Sequence, residues 1–444
     1  MSFIKPKASV ESSTKKEPEK TLLALDIGSE FIKCIMATPA DFSDSEKPHK
    51  LKKSPPSGKL KILGYSKSRQ VEGSMSGGRI TNIKNVIATA EEAISSLEEQ
   101  TGLRAKSVVV GLSGELVKSH ISTIRYRRDS PNKLITDSEL KNLLQKIESR
   151  AEAKIRREVS LETDNPEIDL ALVNSALVSL SIDGYKINTP VGFRGSELLI
   201  EYYTAFAPTI STSAIEKVCI ELELDLVAIA VEPFALCRAC LGDDVETDFS
   251  AILIDIGGGT TDLAVIDSGE ICGTASINLA GQSFTRQISE GLGVRPATAE
   301  KYKVNLEDES LLSDSLINKT TSALNKALPV WLAGVSVALE DVKNLESLPT
   351  DIFLSGGSAS LLPLEELLAT SDWYSSLPFE RRPVVHLLDP VSLPDFIFNT
   401  DDQLIDFDAS FITALGLLRV AVDTLYSSPE KDNFLTKIQK LLAH

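Results

Sequence analysis

The sequence predicts an α/β protein of two related lobes, with a ligand cleft between them. Two segments repeat one pattern, in which a buried strand ends at Asp-Ile-Gly: LALDIGSEFIKCI (23–35) and AILIDIGGGTTDLAVID (251–267). A third segment, DIFLSGGSASLLPLEELL (351–368), has the pattern of a strand that turns through glycine into a helix. Because strands and helices alternate between these segments, we expect mixed, largely parallel sheets covered by helices.

The composition is that of a globular protein large enough for two or more domains. The chain has 444 residues, of which 42% are hydrophobic and 25% charged, and its net charge is −17. An acidic chain lacks the basic surface of general nucleic-acid binding proteins, so we expect no nucleic-acid partner. The five cysteines are few and stand mostly in apolar segments, which is typical of a reduced cytoplasmic setting.

Changes in composition and pattern divide the chain into successive segments. We expect a disordered tail (1–20), the first part of lobe one (21–112) with a flexible loop at 41–59, an inserted α+β module (113–195), the second part of lobe one (196–248), lobe two (249–408, of which 284–348 form a small subdomain), a connecting helix (409–426), and a hinge followed by an amphipathic helix (427–444).

Local patterns predict several elements within this frame. Apolar residues at helical spacing predict a helix over 82–102 that stops at Gly102, followed by a buried strand in 105–114. A second helix is predicted over 211–226, with Ser211 or Ser213 as its cap. In the inserted module we expect strands at 121–128 and 170–184 and a helix from about Thr136 to Arg157.

The two Asp-Ile-Gly turns are the candidate phosphate and metal sites. Glycine permits unusual φ angles and lets backbone N–H groups approach an anion closely. A carboxylate beside such a turn can hold Mg²⁺, which prefers oxygen ligands and bound phosphate. The alternative is a plain strand-to-strand turn, and for Lys33 it is a place on the solvated side of its strand. The candidate metal ligands are Asp26, Asp255 and Asp262, and the candidate phosphate-binding residues are Asp26, Gly28, Ser29, Lys33, Gly257, Gly258, Gly259, Thr260 and Thr261.

Four further motifs carry candidate chemistry, each with a structural alternative. Glu232 precedes Pro233 where a strand meets a helix, so it either orients an attacking water or simply starts that helix; with Asp255 it is our candidate catalytic residue. Gly356, Gly357 and Ser358 either form a common turn between a strand and a helix or, together with the two hairpins, the loop expected on the adenosine side of a nucleotide. Glu300 and Lys303 share a helix face and either grip ribose and base or form a surface ion pair. Cys237 and Cys240 have C-x-x-C spacing, but we favour buried structural residues over a redox or zinc site.

The C-terminal segment NFLTKIQKLLAH (433–444) has one apolar stripe at helical spacing. The stripe consists of Phe434, Leu435, Ile438, Leu441 and Leu442, and two lysines lie on the opposite face. Such a helix either lies on an anionic membrane surface or packs back onto the protein body; we favour the membrane.

These residues resemble the FtsA family of actin-like bacterial division proteins, within the actin, heat-shock chaperone and sugar kinase superfamily. The resemblance covers most of 21–442 and includes IAVEPFA (229–235), ASFITALGLLRVA (409–421) and INTPVGFRGSELLIEYYTAFAP (187–208), which is similar to the family's inserted 1C (SHS2) subdomain. It implies ATP and Mg²⁺ as cofactors, slow ATPase activity at most, polymerisation into filaments, and tethering of FtsZ to the inner face of the cytoplasmic membrane at the division site.

Two alternatives stay open. The first is a type IV pilus assembly adaptor similar to PilM, which has the same inserted subdomain; the second is a metabolic kinase of the same superfamily, for which we find no substrate motif. The sequence departs from the FtsA pattern at Gln282 and throughout 308–330, so FtsZ contacts are not transferable to individual residues.

Overall fold

The computed structural model describes residues 21–40, 59–104, 106–187, 189–242, 248–306, 311–342, 345–398 and 407–426. The predicted tail (1–20), nearly all of the loop at 41–59, and the segment 427–444 lie outside these residues. The apolar stripe of the predicted terminal helix therefore stays a prediction.

Strands make up three principal sheets. Numbered along the chain, they are β1 (Leu22–Ile27), β2 (Phe31–Pro39), β3 (Leu60–Arg69), β4 (Met75–Ser76), β5 (Arg79–Ile80), β6 (Ser107–Leu112), β7 (Lys118–Arg127), β8 (Leu170–Ile182), β9 (Tyr185–Lys186), β10 (Glu197–Pro208), β11 (Asp225–Val231), β12 (Ala251–Ile256), β13 (Thr261–Asp267), β14 (Glu270–Ile277), β15 (Asp351–Ser355), β16 (Val384–Leu387) and β17 (Phe396–Ile397).

Helices cover the sheets and connect the strands. They are α1 (Ile83–Thr101), α2 (Asp137–Thr163), α3 (Thr209–Glu221), α4 (Glu232–Leu241), α5 (Gly281–Leu292), α6 (Pro296–Val304), α7 (Asp314–Glu340), α8 (Leu362–Thr370) and α9 (Ile412–Tyr426). Short 3₁₀ turns lie at Trp373–Ser376, Pro390–Ser392 and Ala409–Phe411.

The two lobes contain sheets of the same topology. In lobe one the order is β11-β6-β1-β2-β3-β17, and in lobe two it is β16-β15-β12-β13-β14. Each sheet has a central strand (β1 or β12) that pairs antiparallel with the next strand and parallel with a strand that follows a helix. The duplication predicted from the repeated Asp-Ile-Gly pattern is thus present in the strand order.

β17 belongs to the first sheet, although its residues fall within the range predicted for lobe two. It pairs parallel with β3, where Phe396 lies opposite Leu60. This short pairing covers the edge of β3, whose backbone groups would otherwise be available to other chains.

The inserted module is a four-stranded sheet, ordered β7-β10-β8-β9, packed against α2. β10 is part of this sheet along its whole length, so the module extends past residue 195, where we placed its end. α2 begins at Asp137 with Thr136 as its cap, as predicted, but it continues to Thr163, beyond the predicted end.

Some predicted elements are confirmed and one is wrong. α1 has Asn82 as its cap and ends at Gly102, which has φ +66° and is therefore suited to a left-handed helix end. α3 begins two residues before Ser211, follows Pro208 directly, and has no side-chain cap. The predicted caps lie inside the helix because β10 runs straight into it, and the helix ends before β11 begins.

The hydrophobic core continues from one lobe to the other through α4 and α9. One cluster contains Leu22 of β1, Leu253 of β12, Phe234 of α4 and Leu415 of α9, all nearly inaccessible to solvent. A Cβ atom at Gly416 would lie within 2.5 Å of the Ala235 carbonyl carbon, so α4 and α9 cross in backbone contact. This crossing fixes where the two lobes meet.

α7 is long and apolar enough to cross a membrane by length and composition, and it is the one such helix in the described part of the chain. One of its faces packs into the core of lobe two through Leu324, Leu328, Trp331 and Val335. This packing is that of a helix in a globular core.

Candidate functional site

The two Asp-Ile-Gly turns have the same geometry at corresponding ends of the two sheets. In the first hairpin Asp26 lies directly opposite Lys33, and in the second Asp255 lies directly opposite Asp262. Each pair is followed by one more paired position and then by a turn of the same length. The related positions therefore carry a carboxylate and an ammonium group in lobe one, but two carboxylates in lobe two.

The two turns are in direct contact. A Cβ atom at Gly258 would lie 3.0 Å from Glu30 Cβ, and one at Gly259 would lie 2.9 Å from Ser29 Cβ. The glycines of the second turn do not have the positive φ angles that we expected, which occur instead at Gly356. Glycine is required in this turn because the opposite turn approaches too closely for a side chain.

The first turn of α5 orients the second hairpin turn. The N–H groups of Gly281 and Gln282 donate to the carbonyls of Gly257 and Gly258, at 3.0 and 2.7 Å. In a trans peptide the N–H group points opposite to the carbonyl, so the N–H groups of Gly258 and Gly259 point away from α5. Backbone N–H groups held in this way can contact an anion such as phosphate.

Lys33 is a buried cation among carboxylates. Its Nζ lies 2.8 Å from Asp26 Oδ2, and the two side chains are 16% and 4% exposed. Burial alone lowers the pKa of Lys33, but the charges of Asp26, Asp255 and Glu232 outweigh it and raise that pKa. Lys33 is therefore a charged part of the site and does not lie on the solvated side of its strand.

Glu232 Oε1 and Asp262 Oδ1 are buried carboxylate oxygens, and neither has a hydrogen-bond partner among the described residues. Burial, together with the nearby acidic groups, raises the pKa of Glu232 well above its usual range. Burial and the charge of Asp255 raise the pKa of Asp262 to about 7. A cation or a water molecule would satisfy such oxygens.

Asp255 is held from two directions. Its Oδ2 accepts a hydrogen bond from Ser355 at 3.2 Å and one from Thr413 at 2.6 Å. Burial raises the pKa of Asp255, against the opposing effects of Lys33 and Thr413. The contact from Thr413 connects α9 to the second hairpin.

The glycine-rich loop after β15 lies against the second turn. Gly356 has φ +92°, and a Cβ atom there would lie 2.5 Å from Asp255 Oδ1. The N–H group of Ser358 donates to the Ile256 carbonyl at 3.0 Å. Gly357 has nothing within 4 Å of where its Cβ would be, so its face is open.

Glu300 and Lys303 form a largely buried ion pair of 2.8 Å, which rules out the surface pair that we considered. Lys303 Nζ also donates to the Gly281 carbonyl and to Thr285, both at 3.0 Å. The pair thus lies at the start of α5, beside the second turn.

The hydroxyl group of Thr261 is engaged by residues outside the candidate site. The hydroxyl donates to the Leu279 carbonyl at 2.6 Å and accepts a hydrogen bond from Trp331 at 3.0 Å. Its neighbour Thr260 does face the cleft, where its hydroxyl lies 3.4 Å from Ser113 of lobe one. Sequence reasoning missed Ser113, as it missed Thr413, because both come from elements distant in the chain.

Cys237 and Cys240 lie on α4, and burial raises the pKa of Cys237 above its usual range and that of Cys240 to about 12. Both effects favour the buried structural interpretation.

Among the described residues no three His, Cys, Asp or Glu side chains are arranged to hold a metal by themselves. The carboxylates of the cleft therefore do not form a complete metal cage, but Mg²⁺ commonly takes one or two carboxylates and completes its shell with phosphate and water. The unpartnered carboxylate oxygens fit such an arrangement.

Comparison with solved structures identifies the fold. A chain of the PilM–PilN type IV pilus biogenesis complex is 18% identical and covers 91% of this chain and 99% of its own, with a TM-score of 0.61. The protein has the two-lobed fold of the actin-like ATPases, as the sequence predicted.

Comparison with known sequences shows a similarity to one protein family. The family model described as cell division protein FtsA matches residues 252–378. Cell division protein FtsA of Enterococcus hirae is 24% identical over 90% of this chain and 86% of its own length, and that of Bacillus subtilis is 24% identical over 76% and 74%. The chain is therefore similar to FtsA proteins over most of its length, in agreement with the resemblance found in the sequence.

Proposed function

We propose that the protein binds ATP with Mg²⁺ between its two lobes and acts in cell division as an FtsA-type protein. The observation that carries the nucleotide proposal is the direct contact of the two turns, Gly258 with Glu30 and Gly259 with Ser29. A cleft closed by two glycine turns and lined by buried carboxylates suits a phosphate chain and its metal ion.

The residues of the cleft take distinct roles in this proposal. The Gly28 and Gly257–Gly259 turns, with Ser29 and Thr260, surround the phosphates. Asp26 and Asp255, together with the unpartnered oxygen of Asp262, would hold the metal ion, which would neutralise phosphate charge. Lys33 balances the carboxylates, and Glu232 orients the attacking water.

The names of the relatives support the division role. FtsA proteins of several bacteria match most of the chain and are named for cell division. In our proposal the nucleotide closes the cleft, favours head-to-tail filaments, and so places many C-terminal helices on one membrane. FtsZ is the proposed partner, at the inner face of the cytoplasmic membrane, and turnover is slow.

Isothermal titration with ATP and Mg²⁺ tests the nucleotide site. Asp255→Ala and Gly258→Asp are expected to abolish binding while the far-ultraviolet circular dichroism stays that of the wild type. Asp389→Ala is a suitable control, since it changes an exposed carboxylate that caps the 3₁₀ turn Pro390–Ser392. Equal affinity in both variants and the wild type would contradict the proposal.

Liposome co-sedimentation separates the division role from a second candidate, a pilus-type adaptor, which the likeness to the PilM–PilN complex favours. We compare the full chain with a chain ending at Ser428, using anionic vesicles and ATP. Pelleting that depends on 429–444 supports the membrane tether. If neither chain pellets, the adaptor becomes the better proposal, and FtsZ binding is not expected.

A further inference from the structure

Asn174 connects the inserted module to the strand that carries Glu232. It lies on β8 with a 7% exposed side chain, and it contacts β11, the edge strand of the lobe-one sheet. Its Oδ1 accepts a hydrogen bond from the Val231 N–H group at 2.7 Å, and its Nδ2 donates to the Ile229 carbonyl at 3.5 Å. Both contacts join residues of different sheets.

The amide group replaces a neighbouring strand at this edge. Along a strand, alternate residues direct their N–H and C=O groups to the same side. Ile229 and Val231 therefore present one acceptor and one donor to the same edge, which a single carboxamide can pair with. A hydroxyl or carboxylate of similar size would not provide the same planar pairing.

A β-bulge precedes Asn174. In the pairing of β10 with β8, Ala205 lies opposite Asn174 but the next residue, Phe206, lies opposite Leu172, so Val173 is the extra residue. Bulges bend a strand and redirect its side chains, and they are common beside active sites. This bulge lies immediately beside the residue that contacts β11.

The contact ends at the residue before the candidate catalytic glutamate. Val231 directly precedes α4, and Glu232 is the first residue of that helix. The start of α4 has no side-chain cap of its own. Across the sheet, a Cβ atom at Gly111 would lie 3.3 Å from Glu232 Oε1, which shows that the glutamate lies against β6. Asn174 thus holds the backbone from which Glu232 enters the cleft.

We propose that Asn174 is a positioning residue for Glu232, through which the inserted module controls nucleotide hydrolysis. This inference rests on the proposed ATP-binding function. A partner that binds the module and moves β8 would also move the Val231 N–H group. The start of α4 would move with it. Nucleotide affinity, which depends on the glycine turns, would change little.

The test uses single-turnover hydrolysis and equilibrium binding of ATP with the full chain. Asn174→Leu, which keeps the volume but removes both hydrogen bonds, is expected to lower the hydrolysis rate on the order of 10- to 100-fold. ATP affinity is expected to stay within a few-fold. Ser179→Ala, which removes a hydrogen bond to Glu201 within the same sheet, is the control and should hydrolyse ATP like the wild type.

A double-variant cycle distinguishes positioning from general loss of structure. Because Asn174 acts through Glu232, Asn174→Leu combined with Glu232→Gln should be no slower than Glu232→Gln alone. Hydrogen exchange at the Val231 amide should become faster in Asn174→Leu. Asn174→Asp keeps the acceptor for this amide, gives an intermediate rate, and is the variant to use if Asn174→Leu does not fold.

The outcomes separate the two proposals. A wild-type rate in Asn174→Leu, or additive losses in the double variant, would overturn the positioning role. Wild-type protein that binds ATP but hydrolyses none would overturn it too, while leaving the nucleotide site intact. Absence of ATP binding by the wild type would overturn the proposed function itself.

Discussion

Thr413 donates a hydrogen bond of 2.6 Å to Asp255, from a helix 158 residues further along the chain. Thr413 lies on α9, which packs in the core cluster shared by the two lobes, whereas Asp255 lies near the end of β12, the central strand of lobe two. The bond holds one oxygen of the carboxylate, and Ser355 contacts that same oxygen. The connecting helix therefore helps to fix the candidate metal ligand.

Loss of this bond is expected to destabilise the protein. Thr413→Val should lower the free energy of unfolding by about 1.5–3 kcal/mol, the usual effect for a hydrogen bond to a charged group. Thr424→Val provides the control, because its hydroxyl donates to the Val420 carbonyl within α9 itself. Urea denaturation measures the free energy of unfolding of both variants. Equal decreases in the two variants would show that the bond from Thr413 to Asp255 stabilises the fold no more than a bond within α9.

Two glycines should separate ligand binding from folding. At Gly259 a methyl group would meet Ser29, so Gly259→Ala is expected to separate the turns and to reduce ATP affinity at least tenfold. At Gly357 a methyl group meets no protein atom, so Gly357→Ala should melt like the wild type. If adenosine lies on that loop, as the sequence predicts, Gly357→Ala still weakens ATP binding. Unchanged affinity there would place the nucleoside elsewhere.

Lys33 should matter more for stability than the neighbouring surface cation Arg69. Lys33→Met leaves Asp26 buried without its partner, which typically costs about 3–5 kcal/mol. Arg69 of β3 pairs with Glu30 in the turn between β1 and β2 but is largely exposed, so Arg69→Ala should cost about 0–1 kcal/mol. Denaturant unfolding at pH 7 compares them. A loss below that of Arg69→Ala would mean that Lys33 is not balancing the buried carboxylates.

The protein without nucleotide should lose stability as the pH rises. Burial and the charge of Asp255 raise the pKa of Asp262 from 3.8 to about 7, so the folded state binds more protons than the unfolded state between these values. Unfolding free energy therefore decreases from about pH 4 to pH 7 for this group. Asp262→Asn removes its contribution and should flatten the profile. A profile identical to that of the wild type would show that Asp262 is ionised throughout.

Much of the fold follows from local sequence pattern. The Asp-Ile-Gly repeat predicted two related halves because the same combination of an apolar strand and a glycine turn occurs at both 23–35 and 251–267. The end of α1 was predictable from Gly102, whose left-handed conformation a glycine adopts without strain. These signals are contained within a few residues of chain.

The rest of the site depends on contacts between distant residues. Ser113 meets Thr260 across the cleft, and Asn174 meets Val231 between two sheets, but neither contact has a local signature. The orientation of Thr261 was also not predictable, because it is decided by the Trp331 indole, whose helix is distant in sequence. Similarly, β17 pairs with β3 and buries Phe396 in the core beside it, far along the chain from the strand that it joins.

The backbone contact of Gly416 with Ala235 restricts how the lobes can move. No side chain separates α4 from α9 at that point. The two helices therefore cannot slide past each other there by rearranging side chains between them. For the closure that we propose, we therefore expect a rotation with its pivot at this crossing. Substitution of Gly416 by any larger residue would displace the pivot itself and shift the distance between Asp26 and Asp255, far from the substituted position.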